Sequence, residues 1–383
     1  MKKSFWKKQI TRREFIIKGA AAAAGIGIGA YFLKKAIRKP DATPELWKWS
    51  HEAYHYKTLG KRAQCEVCPN QCVLEEGNRS ICRNKVGKDG KIYTLVYGNP
   101  AAVHIDPIEK KPLYHFLPLT KAFSIGTSGC NLRCLNCQNW EMSQQEPEKL
   151  NTTEMFPEQV VSNARNSGSK SIAYTYNEPI SFYEYMYDTA KLAKEEGIRN
   201  VMVTNGYINK DAFKDLSKHV DALSINLKTF DDKISNELNR GSLKPVLDTI
   251  KLAKQEGLWL EVINLVVPQW TDKPDMIREM SKWLYKNIGA DYPLHFSRFF
   301  PMYKLVHLPQ TPLKTLESAR KIAMEEGLKY VYIGNVPGTE YSNTICPKCF
   351  KAVVERKGYE LMQNNIQEGS CRFCGERIAG VWG

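Results

Sequence analysis

All eleven cysteines of this 383-residue chain fall into three tight groups. Cys65, Cys68, Cys72 and Cys82 form C-x2-C-x3-C-x9-C, and Cys346, Cys349, Cys371 and Cys374 form C-x2-C-x21-C-x2-C. Between them Cys130, Cys134 and Cys137 form C-x3-C-x2-C inside GTSGCNLRCLNCQNW, residues 126–140. Iron-sulfur clusters ordinarily take four cysteine ligands and structural zinc takes four donors. The triplet is therefore one ligand short. No spare cysteine exists elsewhere to complete it, so its metal keeps a position open for a substrate or cofactor.

The outer groups read differently. Cys346-Pro347-Lys348-Cys349 and Cys371-Arg372-Phe373-Cys374-Gly375 are two knuckles of a zinc-ribbon-like module, with rubredoxin-like iron and disulfides as the alternatives. Cys65, Cys68, Cys72 and Cys82 close either a structural zinc site or a second 4Fe-4S cluster, and the spacing leaves that choice open.

The formal charge of +14 at first suggests nucleic-acid binding, but residues 1–40 hold eleven Lys or Arg against the single acid Glu14. The other 343 residues carry 44 basic and 40 acidic groups, which excludes a broad nucleic-acid surface. Fifteen uncharged, Ala- and Gly-rich residues lie between Lys18 and Lys34. They are too few and too weakly apolar for a membrane span of about 20 residues. Thr11-Arg12-Arg13-Glu14-Phe15-Ile16-Ile17-Lys18 resembles a twin-arginine export signal, which carries folded, metallated proteins. Residues 1–40 are thus a signal, or an anchor if left uncleaved, and supply the only membrane contact; a cytoplasmic location stays open.

Residues 41–116 comprise the first cysteine module and a lead-in of short strands and turns, residues 117–340 a core, and residues 341–383 the ribbon. Within the core, apolar runs predict strands near 122–126, 170–175, 199–204, 220–227, 258–267, 293–300 and 329–333. Helical spacing falls between them, at Pro157–Arg165, Pro179–Glu196, Lys210–Lys218, Pro245–Glu256, Lys273–Asn287 and Leu313–Glu326. Such alternation makes parallel βαβ units of an α/β fold.

The triplet spacing resembles that of the radical S-adenosylmethionine (SAM) enzymes, and six units fit their incomplete (β/α)6 TIM-type barrel, whose chemistry sits on loops after the strands. More closely, the chain resembles the AmmeMemoRadiSam-system radical SAM enzymes, relatives of pyruvate formate-lyase activating enzymes. The resemblance rests on Cys65 to Cys82, Tyr93 to Gly98, His104 to Pro112, Cys137-Gln138-Asn139-Trp140 and Tyr174 to Pro179.

That resemblance implies a 4Fe-4S cluster on Cys130, Cys134 and Cys137, its fourth iron chelated by SAM. Asn177 and Glu178 then stand where the family contacts the SAM amino group, and Thr204 and Asn205 where it contacts ribose or carboxylate. Asn226 and Lys228 share a strand face with Ser224 near the barrel mouth. Asn136 occupies the usual place of an aromatic residue beside the adenine, a role open to Trp140. Val203 and Asn226 stand at positions commonly Asp. His295 and Arg298 are further candidates, whereas His51 and His55 are structural.

The implied function is reductive cleavage of SAM to a 5'-deoxyadenosyl radical that takes hydrogen from an unidentified substrate, with an electron donor required. Memo-like and AMMECR-like proteins are the implied pathway partners. Two alternatives remain: a glycyl-radical-enzyme activase, and a non-catalytic exported iron-sulfur protein that relays electrons.

Overall fold

A computed structural model describes residues 46–383, and the export signal expected in residues 1–40 lies outside the described residues. Seven apolar runs become the strands β2 (Lys121–Gly126), β3 (Ser171–Tyr174), β4 (Arg199–Thr204), β5 (Ala222–Asn226), β6 (Trp259–Val266), β7 (Leu294–Arg298) and β8 (Val331–Gly334). All seven are parallel, each paired with the next in sequence. Their burial is nearly continuous because helices cover the outside and side chains fill the inside. An eighth strand, β1 (Ala102–Pro107), adds to the edge antiparallel to β2. It comes from the segment read above as short strands leading into the core.

Six helices return the chain between the parallel strands: α1 (Pro157–Asn166), α2 (Tyr183–Glu195), α3 (Lys210–Ser217), α4 (Leu243–Gln255), α5 (Pro274–Ile288) and α6 (Leu313–Glu325). Their sequences explain their limits. Helix α5 opens on Pro274 at its first turn and buries Ile277, Met280, Leu284 and Ile288, spaced by three or four residues. It stops at Gly289, whose φ of 97° few other residues adopt. The first predicted helix past the second strand begins instead as a 3-10 turn, Pro179–Phe182, capped by Glu178, whose side chain accepts from Ile180 N–H.

The sheet curls without closing, since β1 and β8 pair with no further strand among the described residues. Its lower interior is a layer of small residues, Ala122, Ala173, Val201 and Ala222, plugged by Ile108, Leu113 and Phe116 from the β1–β2 connection. Beside that plug, Glu261 is fully buried and accepts four hydrogen bonds, from the backbone N–H groups of Tyr114 and His115, from Trp259 Nε1 and from His295 Nε2 at 2.7 Å. His295 therefore belongs to the barrel floor. Sequence reasoning offered it as a functional candidate because it could not tell which end of β7 the ring occupies.

The ribbon docks beneath this floor. Three antiparallel strands, Thr344–Ile345, Ala352–Lys357 and Glu360–Asn364, carry buried Arg356, which donates to the Tyr114 carbonyl at 2.8 Å. Val381 exchanges backbone hydrogen bonds with His115 and Leu117, and His115 Nδ1 donates to Ala379 at 2.6 Å. At the other end, the first cysteine module joins α2 through Lys85 and Glu184, an ion pair only 2% and 0% exposed. Residues 46–383 thus form one unit in which both outer cysteine groups are lobes of the barrel.

Candidate functional site

The triplet occupies the loop after β2, at the C-terminal end of the strand, and glycines allow the chain to pass there. A side chain on Gly126 would meet the Thr175 carbonyl at 2.4 Å, and one on Gly129 would meet the Cys82 carbonyl at 2.2 Å. Gly129 also has φ 79°. The loop is then braced from every side by asparagines. Asn177 donates to the carbonyls of Ser128 at 2.7 Å and Gly129 at 2.9 Å, and accepts from Thr127 N–H at 3.1 Å. Asn84 donates to the same Ser128 carbonyl at 2.6 Å and accepts from the Ser128 hydroxyl at 2.7 Å. Asn131, itself in the loop, donates to the Tyr207 carbonyl at 2.8 Å and accepts from Asn205 Nδ2 at 2.8 Å.

Beyond Cys130 the loop leans on the connections after β5 and β7. Arg133 and Leu135 donate their N–H groups to Asn239 and Leu238, and Lys304 N–H donates to Leu135 at 3.0 Å. N–H donors reach the sulfurs: Leu132 N and Asn205 Nδ2 approach Cys130 Sγ at 3.4 and 4.0 Å, and Asn239 Nδ2 approaches Cys134 Sγ at 3.3 Å. Burial pushes the Cys130 thiol well above its ordinary range, and the nearby Glu178 carboxylate adds to the shift. A metal's positive charge would offset that cost at Cys130, so the donor set fits a metal centre.

Glu178 is buried against the same loop. Its Oε1 accepts from the Thr204 hydroxyl at 2.7 Å and from Ile180 N–H at 3.2 Å, and its Oε2 from Asn205 N–H at 2.8 Å. Burial raises its carboxyl to about 7, although those hydrogen bonds and Lys228 pull the other way. Alternation places Ser224, Asn226 and Lys228 on the inward face with Ala222. Asn205, Asn226 and Lys228 line one small cavity with Leu132, Tyr207 and Gly241. The Lys228 ammonium pulls the thiol of Cys137 down as well, against burial, which raises it. Asn136 is half-buried, and its Oδ1 has no hydrogen-bond donor among the described residues.

Sequence-selected Cys130, Cys134, Cys137, Asn177, Glu178, Thr204, Asn205, Asn226 and Lys228 are brought to one mouth. Asn84, Asn131 and Asn239 were missed, although asparagine beside a cysteine motif is a recognisable loop-bracing signal. Also missed was a buried trio behind Tyr176: Asp106 accepts from Lys111 Nζ at 2.5 Å and from the Tyr176 hydroxyl, and Lys111 Nζ lies 4.7 Å from the Tyr176 ring centre. Asn139 of the cysteine loop donates to the Tyr176 carbonyl, so this trio holds the loop's outer end.

The outer cysteine groups differ in geometry. Cys346 and Cys374 sulfurs stand 3.6 Å apart, and Cys349 and Cys371 sulfurs 3.7 Å. A tetrahedral ion with bonds of ~2.3 Å sets its ligands about 3.8 Å apart, so the ribbon fits a single ion. Among the described residues it is this group whose ligand atoms all converge within 4.8 Å. Cys65, Cys68, Cys72 and Cys82 feel one another's charge but are spread more widely.

A family model described as the Radical SAM superfamily matches residues 124–283. An uncharacterized protein of Methanocaldococcus jannaschii is 45% identical over 330 residues, covering 85% of this chain and 98% of that protein. The pyruvate formate-lyase 1-activating enzyme of Escherichia coli is 25% identical over 159 residues, covering 40% of this chain and 65% of that enzyme. Among solved structures, a radical SAM methyltransferase from Sphaerobacter thermophilus aligns with TM-score 0.45 and 15% identity, over 57% of this chain and 67% of that one.

Proposed function

We propose that this chain, which belongs to the radical SAM superfamily, is an enzyme that uses SAM to take a hydrogen atom from its substrate. Membership implies a 4Fe-4S cluster and SAM. The observation that carries the reading is the three-thiol loop, braced on all sides at the mouth of the barrel with one ligand position unfilled. Cys130, Cys134 and Cys137 would hold the cluster, which when charged with one electron supplies the cleavage of SAM to methionine and a 5'-deoxyadenosyl radical.

The chain's own contribution is placement. Asn177, Asn84 and Asn131 fix the backbone of the loop that carries the cysteines. Glu178 ties the turn after β3 to the turn after β4, setting Thr204 and Asn205 at the height of the sulfurs. Lys228 places a positive charge on the inward face, suited to the SAM carboxylate, and Asn136 Oδ1 offers an unused acceptor for the adenine amino group.

The wide spread of Cys65, Cys68, Cys72 and Cys82 supports a second 4Fe-4S cluster there, and the tight tetrahedron of Cys346, Cys349, Cys371 and Cys374 supports zinc. Anaerobic reconstitution followed by dithionite and SAM tests the main reading: 5'-deoxyadenosine release supports it, and its absence despite an intact cluster supports an electron relay. Roughly eight irons and one zinc per chain would fit two clusters and a zinc ribbon; about four irons would return the first group to zinc.

The kinship to the E. coli activating enzyme supports a narrower reading, in which the substrate is a protein glycine. A glycyl-radical signal appearing in a protein of the source cell on incubation with reduced enzyme and SAM tests it. Co-purification with Memo-like and AMMECR-like proteins tests the proposed pathway, and a fusion of residues 1–40 to a folded reporter tests export.

A further inference from the structure

On the outer side of the cysteine loop, away from Glu178, lies a cavity of about 380 Å³, within the range of small-ligand pockets. Its walls carry Arg83, Arg133, Arg240 and Lys304, with Tyr303 and Gln144, and include no carboxylate. The four cations come from four places: the first cysteine module, the cysteine loop, the connection after β5 and the connection after β7. No Asp or Glu among the described residues stands within ion-pair distance of any of them, whereas neighbouring Arg79 is paired with Glu148 at 2.5 Å and Lys149 with Glu146 at 2.8 Å. Arg83 Nη1 is buried and has no partner among the described residues. Gathering like charges this way is unfavourable unless an anion stands between them.

The backbone is strained at the same place. Arg83 has φ 71°, Arg240 59° and Tyr303 53°, left-handed values uncommon for residues other than glycine. Three such residues, remote in sequence, line one cavity. Strain of this kind persists where the surroundings impose it and gathers at binding sites. Tyr303 is held by Trp140, whose ring stacks on it with centres 5.2 Å apart.

We propose that this cavity binds a multiply charged anion, a phosphate or clustered carboxylates, carried by a small-molecule substrate. The guanidinium groups supply the forked donors that such oxygens take up, and Arg83 Nη1 is an unused donor at the wall. Concavity favours a small molecule over a flat acidic protein surface. The site lies against the cysteine loop, so a ligand anchored there would extend its remaining atoms over the rim toward the barrel mouth. Only the identification of that ligand as substrate rests on the reading of the chain as a radical SAM enzyme.

The test is isothermal titration calorimetry of the anaerobically reconstituted protein with inorganic pyrophosphate and with citrate. Arg240→Asn, which keeps a residue tolerant of left-handed backbone, and Lys304→Gln, on an exposed loop, are the variants. Iron content and circular dichroism confirm their folding. The expected result is one anion per chain, with affinity at least about tenfold weaker in each variant, the loss of one charge-assisted hydrogen bond. Preference for pyrophosphate or for citrate then names the charged group.

Three results overturn the proposal. They are absence of millimolar binding by either probe, equal affinity in the variants, and variants that change only the reduction potential or the rate with an acidic protein reductant. Because heat of binding is measured without turnover, failure here leaves SAM cleavage untouched, and absence of SAM cleavage leaves the anion site standing.

Discussion

The carboxylate of Glu178 accepts a hydrogen bond from the Thr204 hydroxyl at 2.7 Å, closing a bridge between the loops after adjacent strands. Removing that donor leaves Oε1 only its longer bond from Ile180 N–H at 3.2 Å, a loss of about 1–3 kcal/mol. Thr204→Val is expected to lower the unfolding free energy by that amount and to weaken SAM binding more than it changes iron content, as read by equilibrium dialysis of the reconstituted protein.

Glu178 also gives a pH signature. Its carboxyl is raised by burial from 4.5 to about 7, so between those values the folded chain holds a proton that the unfolded chain has lost. Stability from this group is therefore greatest at low pH and falls as pH rises to 7, by about 3 kcal/mol at ~1.4 kcal/mol per unit. Anaerobic melts of wild type and Glu178→Gln at pH 5 and 7 should show the variant losing its disadvantage, or gaining, at the higher pH.

His115 pulls the other way. Burial lowers it to about 4, and as a neutral ring it donates from Nδ1 to Ala379 and accepts from the Tyr332 hydroxyl at 2.5 Å. The unfolded chain takes up a proton first as pH falls through 6.5, so stability declines from there to about 4. His115→Gln should be less stable at pH 7 yet lose less between pH 6.5 and 4.5, a difference visible in tryptophan fluorescence.

Lys85 and Glu184 form the buried tie between the first cysteine module and α2. Burial opposes the Lys85 charge, but Glu184 and the thiols of Cys65 and Cys82 outweigh it and hold the group above its ordinary value. Lys85→Met leaves Glu184 buried and uncompensated, a loss of about 3–5 kcal/mol. Lys85→Met combined with Glu184→Leu should recover most of it in denaturant melts, and iron retention should follow the same order.

Much of this architecture is legible in the chain because strand and helix periods alternate without interruption from Lys121 to Gly334. The three cysteine groups are legible for the same reason, since their ligands are local in sequence. Tertiary neighbours are not. Nothing around Ala102–Pro107 announces an antiparallel edge strand, because Ile105 is exposed while Asp106 is buried, against the usual alternation, and the partner strand lies across the Lys111 turn. Glu261 reads as an oddity inside an apolar run until Tyr114, His115 and His295 converge on it. Arg83, Arg133, Arg240 and Lys304 look like solvated charges, and their common cavity exists only once four separate connections meet.

The ribbon sulfurs have a chemical consequence of their own. Cys346 with Cys374 and Cys349 with Cys371, one from each knuckle, stand close enough for their sulfurs to react with each other. An ion bound between them acts as a protecting group. Stripped of it under oxidising conditions, thiols this close would couple to disulfides, and repair would then require a reductant before any metal could return.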